Sequence, residues 1–274
     1  MLNTHEPVLV VGTTPDYVEW IRRERPGKTL FLTDPDIRAA AREPSPDPDE
    51  EVCCSLIDAE TVFGLLMEHC SVYDLEVAAI ACFDCENMLL AAALAERLGI
   101  DYPSETAVHN CRNKLTAKRL WLAAQVPCPK YQVARTADEA EAFVRQLGAP
   151  CVAKPLSGAG SELTFLCNHA MQARERFGQV LAGLVERQDL PMFRQVPNGA
   201  SSVLMEEWID GIEYSCDFIV ERDHVIIVRM ARKYHMTGGP FGITVAYELI
   251  DGTGPFNEGQ LKHYLGKAVA ALGL

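Results

Sequence analysis

Residues 151–161 of the 274-residue chain read CVAKPLSGAGS, a short apolar run that leads a lysine into a loop of small residues. The apolar pattern predicts a buried strand at Val152 and Ala153, with Lys154 where that strand ends. Gly158 and Gly160 allow the following backbone to turn its amide groups toward an anion. The stretch predicts a hairpin that closes over phosphate groups, although an ordinary β-hairpin with a solvated lysine fits this segment at least as well.

The order of the lysine and the glycines excludes the P-loop pattern. A P-loop needs a Gly-Lys-Ser/Thr ending that begins a helix. Here the lysine precedes the glycines, and residues 163–167 (LTFLC) have the pattern of another strand. The predicted element is therefore a strand, a flexible loop and a second strand.

The composition of the chain argues against several classes of function. Its net charge is -13 and its sequence pI is about 5.0. A broad nucleic-acid surface would need clustered lysine and arginine, so we expect no nucleic-acid partner. We also expect no membrane partner, because the sequence has neither a leader pattern nor a bilayer-length apolar run. We expect a cytoplasmic protein that binds small molecules. The sequence leaves open whether it forms a homo-oligomer.

The ten cysteines of the chain are scattered through apolar segments. This distribution predicts free thiols, most of them buried, instead of a disulfide framework. Cys82 and Cys85 have the spacing of a zinc knuckle, but no second Cys or His pair lies at a suitable distance. We expect no zinc site there.

The first hundred residues alternate between strand and helix patterns, which predicts a parallel, doubly wound layer. Gly12 follows the first strand without the further glycines of a dinucleotide fingerprint, which counts against a dinucleotide or nucleotide-sugar enzyme. The strand patterns lie at 7–12, 29–33 and 77–82, a polar loop at 44–51, and the helix patterns at 15–23, 62–70 and 87–98.

Different patterns follow in the second half of the chain. Thr136 and Glu139 have the spacing of a capping box. Adjacent strand residues point to opposite faces, so only one of Glu206 and Glu207 can face a given pocket. We predict helices at 115–124, 136–147 and 257–272, strands at 203–209, 211–217 and 225–230 with a turn at 222–223, a polar connection at 187–200 and a flexible glycine-rich loop at 237–242.

Four motifs, taken in order, resemble the ATP-grasp superfamily and, within it, the carboxylate-amine ligases. They are Asn113-Lys114 before a helix, residues 152–161 (VAKPLSGAGS), residues 205–209 (MEEWI) and residues 210–215 (DGIEYS). Each motif alone is weak, whereas four in the expected order over essentially the whole chain point to the family. The resemblance implies an α/β protein, with a Rossmann-like amino-terminal domain followed by an incomplete ATP-grasp α+β fold.

The resemblance also implies a division of the chain. A pre-ATP-grasp domain would cover residues 1–105, followed by a linking helix at 106–128. A lid subdomain would cover residues 129–208, and a truncated carboxyl-terminal subdomain would begin at 209 and run to 274.

By this resemblance, the chain binds ATP along the four motifs. Lys114 and Lys154 would bind the phosphates beneath the loop at 157–161, Glu206 would accept from the adenine amino group, and Glu213 would bind the ribose hydroxyls. Each of these residues taken alone could instead be an ordinary solvated side chain. The implied nucleotide-binding set is Lys114, Lys154, Ser157, Gly158, Gly160, Ser161, Glu206, Glu207, Trp208, Ile209 and Glu213, with Arg229, Arg232 and Lys233 as looser candidates for phosphate or a substrate carboxylate.

The implied reaction is the ATP-dependent joining of a small-molecule carboxylate to an amine, with amino acids suggested only by the family. Family members also need magnesium, whose ligands would lie beyond Leu274. Asp217 and Glu248 are nearby carboxylates outside that metal motif, so we do not assign either of them as a metal ligand. We also assign no catalytic residue. We expect a segment of such a ligase. The alternatives are a non-catalytic ATP-binding or regulatory module, or a chain completed by a partner.

Overall fold

The computed structural model describes residues 6–194, 201–222, 224–236, 238–239 and 241–274. The chain divides into two compact units, one that ends at His109 and one that begins at Asn110. Within the described ranges, no helix combines the length and the apolar character needed to cross a bilayer. The finer division of the second unit into linker, lid and carboxyl-terminal parts stays a prediction.

The first unit contains a parallel four-stranded sheet in the order β3-β2-β1-β4, which confirms the predicted parallel layer. The middle strands are apolar and buried on both faces, as expected when helices cover a parallel sheet. Its elements are β1 (Val8–Val11), α1 (Pro15–Glu24), β2 (Thr29–Thr33), α2 (Pro35–Ala39), β3 (Glu51–Cys53), α3 (Ala59–Tyr73), β4 (Ala79–Ala81) and α4 (Met88–Leu98), and α5 (Glu105–Arg112) crosses into the second unit.

The second unit begins with an antiparallel sheet in the order β5-β8-β6-β7. Two helices, α7 and α8, bury apolar faces against it, and together they form the largest buried cluster of this unit. Its elements are α6 (Lys114–Ala123), β5 (Tyr131–Ala134), α7 (Ala137–Leu147), β6 (Cys151–Pro155), β7 (Phe165–Cys167), α8 (Ala170–Glu186), α9 (Pro191–Arg194) and β8 (Val203–Glu207).

A three-stranded antiparallel sheet in the order β11-β10-β9 follows, with helix α10 packed against it. The indole Nε1 of Trp121 on α6 donates to the carbonyl oxygen of Ala268 at 3.2 Å, which ties α10 to α6. The elements are β9 (Tyr214–Glu221), β10 (His224–His235), β11 (Thr244–Ile250) and α10 (Glu258–Leu272).

The structure corrects several predicted boundaries. The strand predicted at 203–209 ends at Glu207, and the one predicted at 211–217 begins at Tyr214. The connection predicted at 187–200 contains the short helix α9, while residues 195–200 lie outside the described part. Asp223 of the predicted turn, and Thr237 and Pro240 of the glycine-rich loop, also lie outside it. The strand ends are boundary errors, because end residues depend on contacts that local patterns do not show, whereas α9 is an element that the sequence analysis missed.

All ten cysteines lie within the described residues and are free thiols, as predicted. The expectation that most of them are buried was wrong. Only Cys70, Cys151 and Cys167 are buried, and Cys53 is exposed. Apolar neighbours in sequence do not ensure burial, because strand and helix ends also carry apolar residues.

Candidate functional site

A buried carboxylate, Glu206 on β8, lies at the centre of the site. Strand β8 pairs with β6 in a register that sets Val152 opposite Glu206 and Lys154 opposite Leu204. Side chains two residues apart on one strand share a face, so Lys154 and Glu206 project from the same side of the sheet. Their ammonium and carboxylate groups form an ion pair, and Glu206 is only 8% exposed.

A second lysine, Lys118 on α6, reaches the same carboxylate. Its ammonium nitrogen Nζ donates to Glu206 Oε1 at 2.6 Å and lies 5.8 Å from the centre of the Tyr131 ring. Lys118 is only 6% exposed, which is rare for lysine unless it is paired. Lys118, Glu206 and Lys154 therefore form a triad with one more positive than negative charge, in which Lys118 and Glu206 are buried and Lys154 is partly buried.

The two lysines determine the ionisation of Glu206. Burial by itself raises the pKa of a carboxyl group, and burial is the largest influence here. The nearby ammonium groups of Lys154 and Lys118 together outweigh it, so the pKa of Glu206 is lowered. Glu206 is thus held as a carboxylate at neutral pH.

The glycine loop, residues 157–161, follows β6 and is held by α6. The backbone N–H of Lys114 donates to Leu156 O at 2.9 Å, and its ammonium Nζ donates to Gly158 O at 2.8 Å. Gly158 and Gly160 have φ values of 101° and 63°, in a region that disfavours other residues. Lys114 therefore contacts the backbone that directly follows Lys154 in the chain, and the joint binding of a nucleotide by the two lysines stays a prediction.

Ser161 connects the glycine loop to a second loop segment, at 241–243. Its hydroxyl Oγ donates to Gly242 O at 2.9 Å. A Cβ atom on Gly242 would lie 2.8 Å from that Oγ, so the contact requires glycine at this position. Phe241 of the same loop packs edge to face on Trp208, with ring centres 5.4 Å apart.

The end of β8 and the residue after it bond to the residues that precede β5 and β6. The backbone N–H of Trp208 donates to Pro150 O at 3.0 Å, and Glu207 Oε2 accepts from the Lys130 N–H at 3.1 Å. Glu207 thus faces away from the triad, as strand alternation predicted. Trp208 and Ile209 keep exposed apolar surface beside the end of the strand.

Glu213 lies just before β9 and has two partners on β10, a lysine and a histidine. Its carboxylate pairs with the Lys233 ammonium and with His235 Nε2 at 2.8 Å. Burial raises its pKa, but the ammonium of Lys233 and the ring of His235 lower it by more. The structure thus joins Glu213 to Lys233, a looser candidate of the sequence analysis.

The other two looser candidates lie elsewhere on β10. Arg229 pairs with the carboxylate of Asp217, its partner in the strand register. Arg232 stacks over the Tyr234 ring at 4.8 Å and, as the neighbour of Lys233, points to the opposite face. The structure therefore does not gather Arg229, Arg232 and Lys233 into one cluster.

Comparison with known proteins identifies the fold family. Residues 111–267, more than half of the chain, match the family described as ATP-grasp domain. The chain belongs to the ATP-grasp family. Its fold is an ATP-grasp fold preceded by a Rossmann-like part.

The relatives of this ATP-grasp chain include a ligase. This chain is 26% identical over 207 residues to an uncharacterized protein, y4rH, of Sinorhizobium fredii. The alignment covers 74% of this chain and 39% of that protein. It is also 26% identical over 130 residues to D-alanine--D-alanine ligase of Cupriavidus pinatubonensis. This alignment covers 47% of this chain and 35% of the ligase. The chain thus spans about two fifths of the length of the curated relatives it matches.

Solved structures share the ATP-grasp fold. L-amino acid ligase from Bacillus licheniformis superposes with a TM-score of 0.68 and 18% identity, over 98% of this chain and 61% of that one. At this level of identity the likeness concerns the fold.

Sequence reasoning missed Lys118 as a partner of Glu206. A signal was present, because Lys114 and Lys118 are four residues apart and lie on one face of a predicted helix. The signal was ambiguous, since lysines at this spacing are common on solvated helix faces. Only the approach of β8 shows that Lys118 is buried.

The described residues contain no group of three or more His, Cys, Asp and Glu placed to hold a metal ion. Asp217 pairs with Arg229, and Glu248 accepts from the Tyr234 hydroxyl, so both nearby carboxylates are engaged. A magnesium centre prefers several converging oxygen ligands. These residues therefore do not fit the magnesium site that the resemblance implies.

Proposed function

We propose that the second unit binds ATP and serves as the nucleotide-binding part of a carboxylate-amine ligase. The observation that carries the proposal is the triad of Lys118, Glu206 and Lys154 next to a glycine loop held by Lys114. Membership of the ATP-grasp family supports an ATP-dependent ligase in general. The triad adds a buried positive charge beside backbone amides, an arrangement suited to a triphosphate.

The adenine would lie beside the end of β8. In this proposal Glu206 accepts from the adenine amino group, while the backbone of Glu207 and Ile209 and the exposed body of Trp208 complete an apolar slot. Adenine needs such a slot with a few hydrogen bonds at its edge. Glu213, held by Lys233 and His235, would accept from the ribose hydroxyls.

The phosphates would lie beneath the glycine loop. Lys114 and Lys154 supply ammonium groups, and residues 157–161 supply backbone N–H groups, except that of Ala159, which donates to the Met192 sulfur. Their present partners, Gly158 O and the Glu206 carboxylate, would share these ammonium groups with phosphate oxygens. Preorganised donors of this kind are effective because they need little rearrangement when charge develops.

The proposed reaction has two steps. A substrate carboxylate oxygen attacks the γ-phosphorus of ATP, the bond to the bridging oxygen of ADP breaks, and an acyl phosphate forms. An amine nitrogen then attacks the acyl carbon, and an amide, phosphate and a proton are released. Lys114 and Lys154 would offset negative charge on the transferred phosphoryl oxygens in the first step.

We further propose that additional polypeptide completes the active site. The chain spans 61% of the L-amino acid ligase structure that it resembles. Alternate residues of β11, Val245, Tyr247 and Leu249, are exposed on the outermost described strand of their sheet, and Leu249 is 68% exposed. Large apolar side chains on an unpaired strand edge support a further strand packed there.

A non-catalytic ATP-binding module is the second candidate. It is favoured by the engagement of Asp217 and Glu248 with other partners, which leaves no converging carboxylates among the described residues. Release of ADP when candidate amino acids are added to this chain and ATP would contradict it.

The binding proposal is tested by titrating the protein with a fluorescent ATP analogue. We expect Lys154→Ala to weaken binding about tenfold or more, since a hydrogen bond to a charged group contributes roughly 1.5–3 kcal/mol. Lys262→Ala is the matched control, because Lys262 pairs with Glu258 on α10. Equal affinities of wild type and Lys154→Ala would refute the assignment of this site.

A further inference from the structure

Helix α9 packs behind the glycine loop. A Cβ atom on Gly158 would lie 2.8 Å from Cε1 of the Phe193 ring, so the ring occupies the space that any other side chain would need. Phe193 is 8% exposed and belongs to the buried cluster of the second unit. The loop therefore rests on a side chain that is itself fixed by packing.

A second contact joins α9 to the next residue of the loop. The backbone N–H of Ala159 donates to the Met192 sulfur Sδ at 3.3 Å. Gly158 meanwhile accepts from the Lys114 ammonium on its carbonyl oxygen at 2.8 Å. The middle of the loop is thus held on one side by α9 and on the other by α6.

A buried arginine anchors α9 in turn. Arg112, at the end of α5, donates from Nη2 to Met192 O at 3.1 Å, and it is 9% exposed. This hydrogen bond joins the guanidinium to a backbone carbonyl of α9, which suits a role in holding that helix.

We propose that Phe193 and Met192 are positioning residues for the glycine loop, and that Arg112 anchors them. This inference rests on the proposed function, because the loop is taken to cover the β- and γ-phosphates. A loop with two glycines is intrinsically mobile, and each conformer lost before binding lowers the entropic cost of binding. By filling the space behind Gly158, Phe193 reduces the conformers available to the loop.

The test compares ATP with AMP as ligands, because AMP lacks the two outer phosphates. Phe193→Leu is expected to raise the Kd for ATP about tenfold and to change the Kd for AMP less than about twofold. A general loss of structure would instead weaken the binding of both ATP and AMP. Phe177→Leu is the matched control, since Phe177 is buried in the same cluster but lies on α8. We expect it to leave both affinities within about twofold of wild type.

Met192→Ala provides a second variant, because Met192 is only partly buried and its loss is less disruptive to the core. It should weaken ATP binding about threefold or more while leaving AMP binding nearly unchanged. This result would support the proposal even if Phe193→Leu does not fold. The inference is overturned if the wild type binds ATP and a folded Phe193→Leu or Met192→Ala protein binds ATP equally well. It is also overturned if ATP and AMP affinities fall in parallel. Failure of the wild type to bind ATP would instead refute the proposed function.

Discussion

At the scale of single residues, Glu206 depends on long-range partners. Lys118 is 88 residues away in sequence, yet its ammonium nitrogen lies 2.6 Å from a Glu206 oxygen. Lys154 approaches the other oxygen from the neighbouring strand. Removing one member of a buried ionic group leaves the remaining charges without compensation, which costs more than the group contributes as a whole.

Stability should therefore depend on pH through Glu206. Its pKa is lower in the folded protein than the ordinary value of 4.5, so its ionised form contributes stability above that pH, which is lost as the pH falls toward the folded value. Glu206→Gln lacks this contribution and leaves both lysines without their carboxylate. We expect it to lower the free energy of unfolding by about 3 kcal/mol at pH 7.

The difference between wild type and Glu206→Gln should narrow when the pH falls below about 4.5, as measured by urea unfolding. Glu207→Gln is the matched control, because Glu207 follows Glu206 but faces away from both lysines. A difference for Glu206→Gln that stays constant from pH 7 to pH 3.5 would contradict this account.

At the scale of elements, the start of α6 places two of the site lysines. Asn113 caps this helix, and its Oδ1 accepts from the N–H groups of Leu115 and Thr116 at 3.0 and 3.1 Å. Thr136 caps α7 in a similar way and accepts from Glu139 N–H at 3.2 Å. The predicted capping box is confirmed on the threonine side, while Glu139 reaches the N–H of Arg135 instead of that of Thr136.

These two caps form a matched pair for an experiment. Asn113→Ala and Thr136→Ala should each lower the free energy of unfolding by about 1 kcal/mol, because each loses a capping acceptor. Only Asn113→Ala should also weaken ATP binding, since it loosens the turn that carries Lys114 and Lys118. Thermal unfolding and nucleotide titration measure the two effects. Equal ATP affinities for the two variants would show that the cap of α6 does not position the lysines.

At the scale of the whole molecule, the proposed nucleotide site has no group of converging metal ligands beside it among the described residues. In the second unit, cations and glycine-loop amides gather on one sheet, whereas the carboxylates of the other sheet pair with their own neighbours. If ATP binding by this chain depends on those cations alone, magnesium should contribute little to affinity.

Removal of magnesium tests this expectation. Replacing magnesium chloride with EDTA should change the Kd of this chain for ATP by less than about threefold, because lysines bind the free phosphates directly. Titration of the same protein sample under both conditions provides the measurement. A loss of more than about tenfold in EDTA would show that residues of this chain hold the ion.

The sequence by itself determined most of the helices and strands and the order of the four motifs. Apolar spacing and caps are local, so they predicted the parallel amino-terminal sheet, the main helices and the lysine followed by a glycine loop. They also placed Glu206 and Glu207 on opposite faces, because strand alternation is a property of the backbone.

Only the tertiary structure decided which groups meet. Lys118 had the pattern of a solvated helix residue until the approach of β8 buried it against Glu206. Helix α9 lies where a polar connection was predicted, and its Met192 carbonyl accepts from Arg112, 80 residues earlier in the chain. Charge pairing and close packing act through space between distant segments, and the periodicity of a sequence reports only its neighbours.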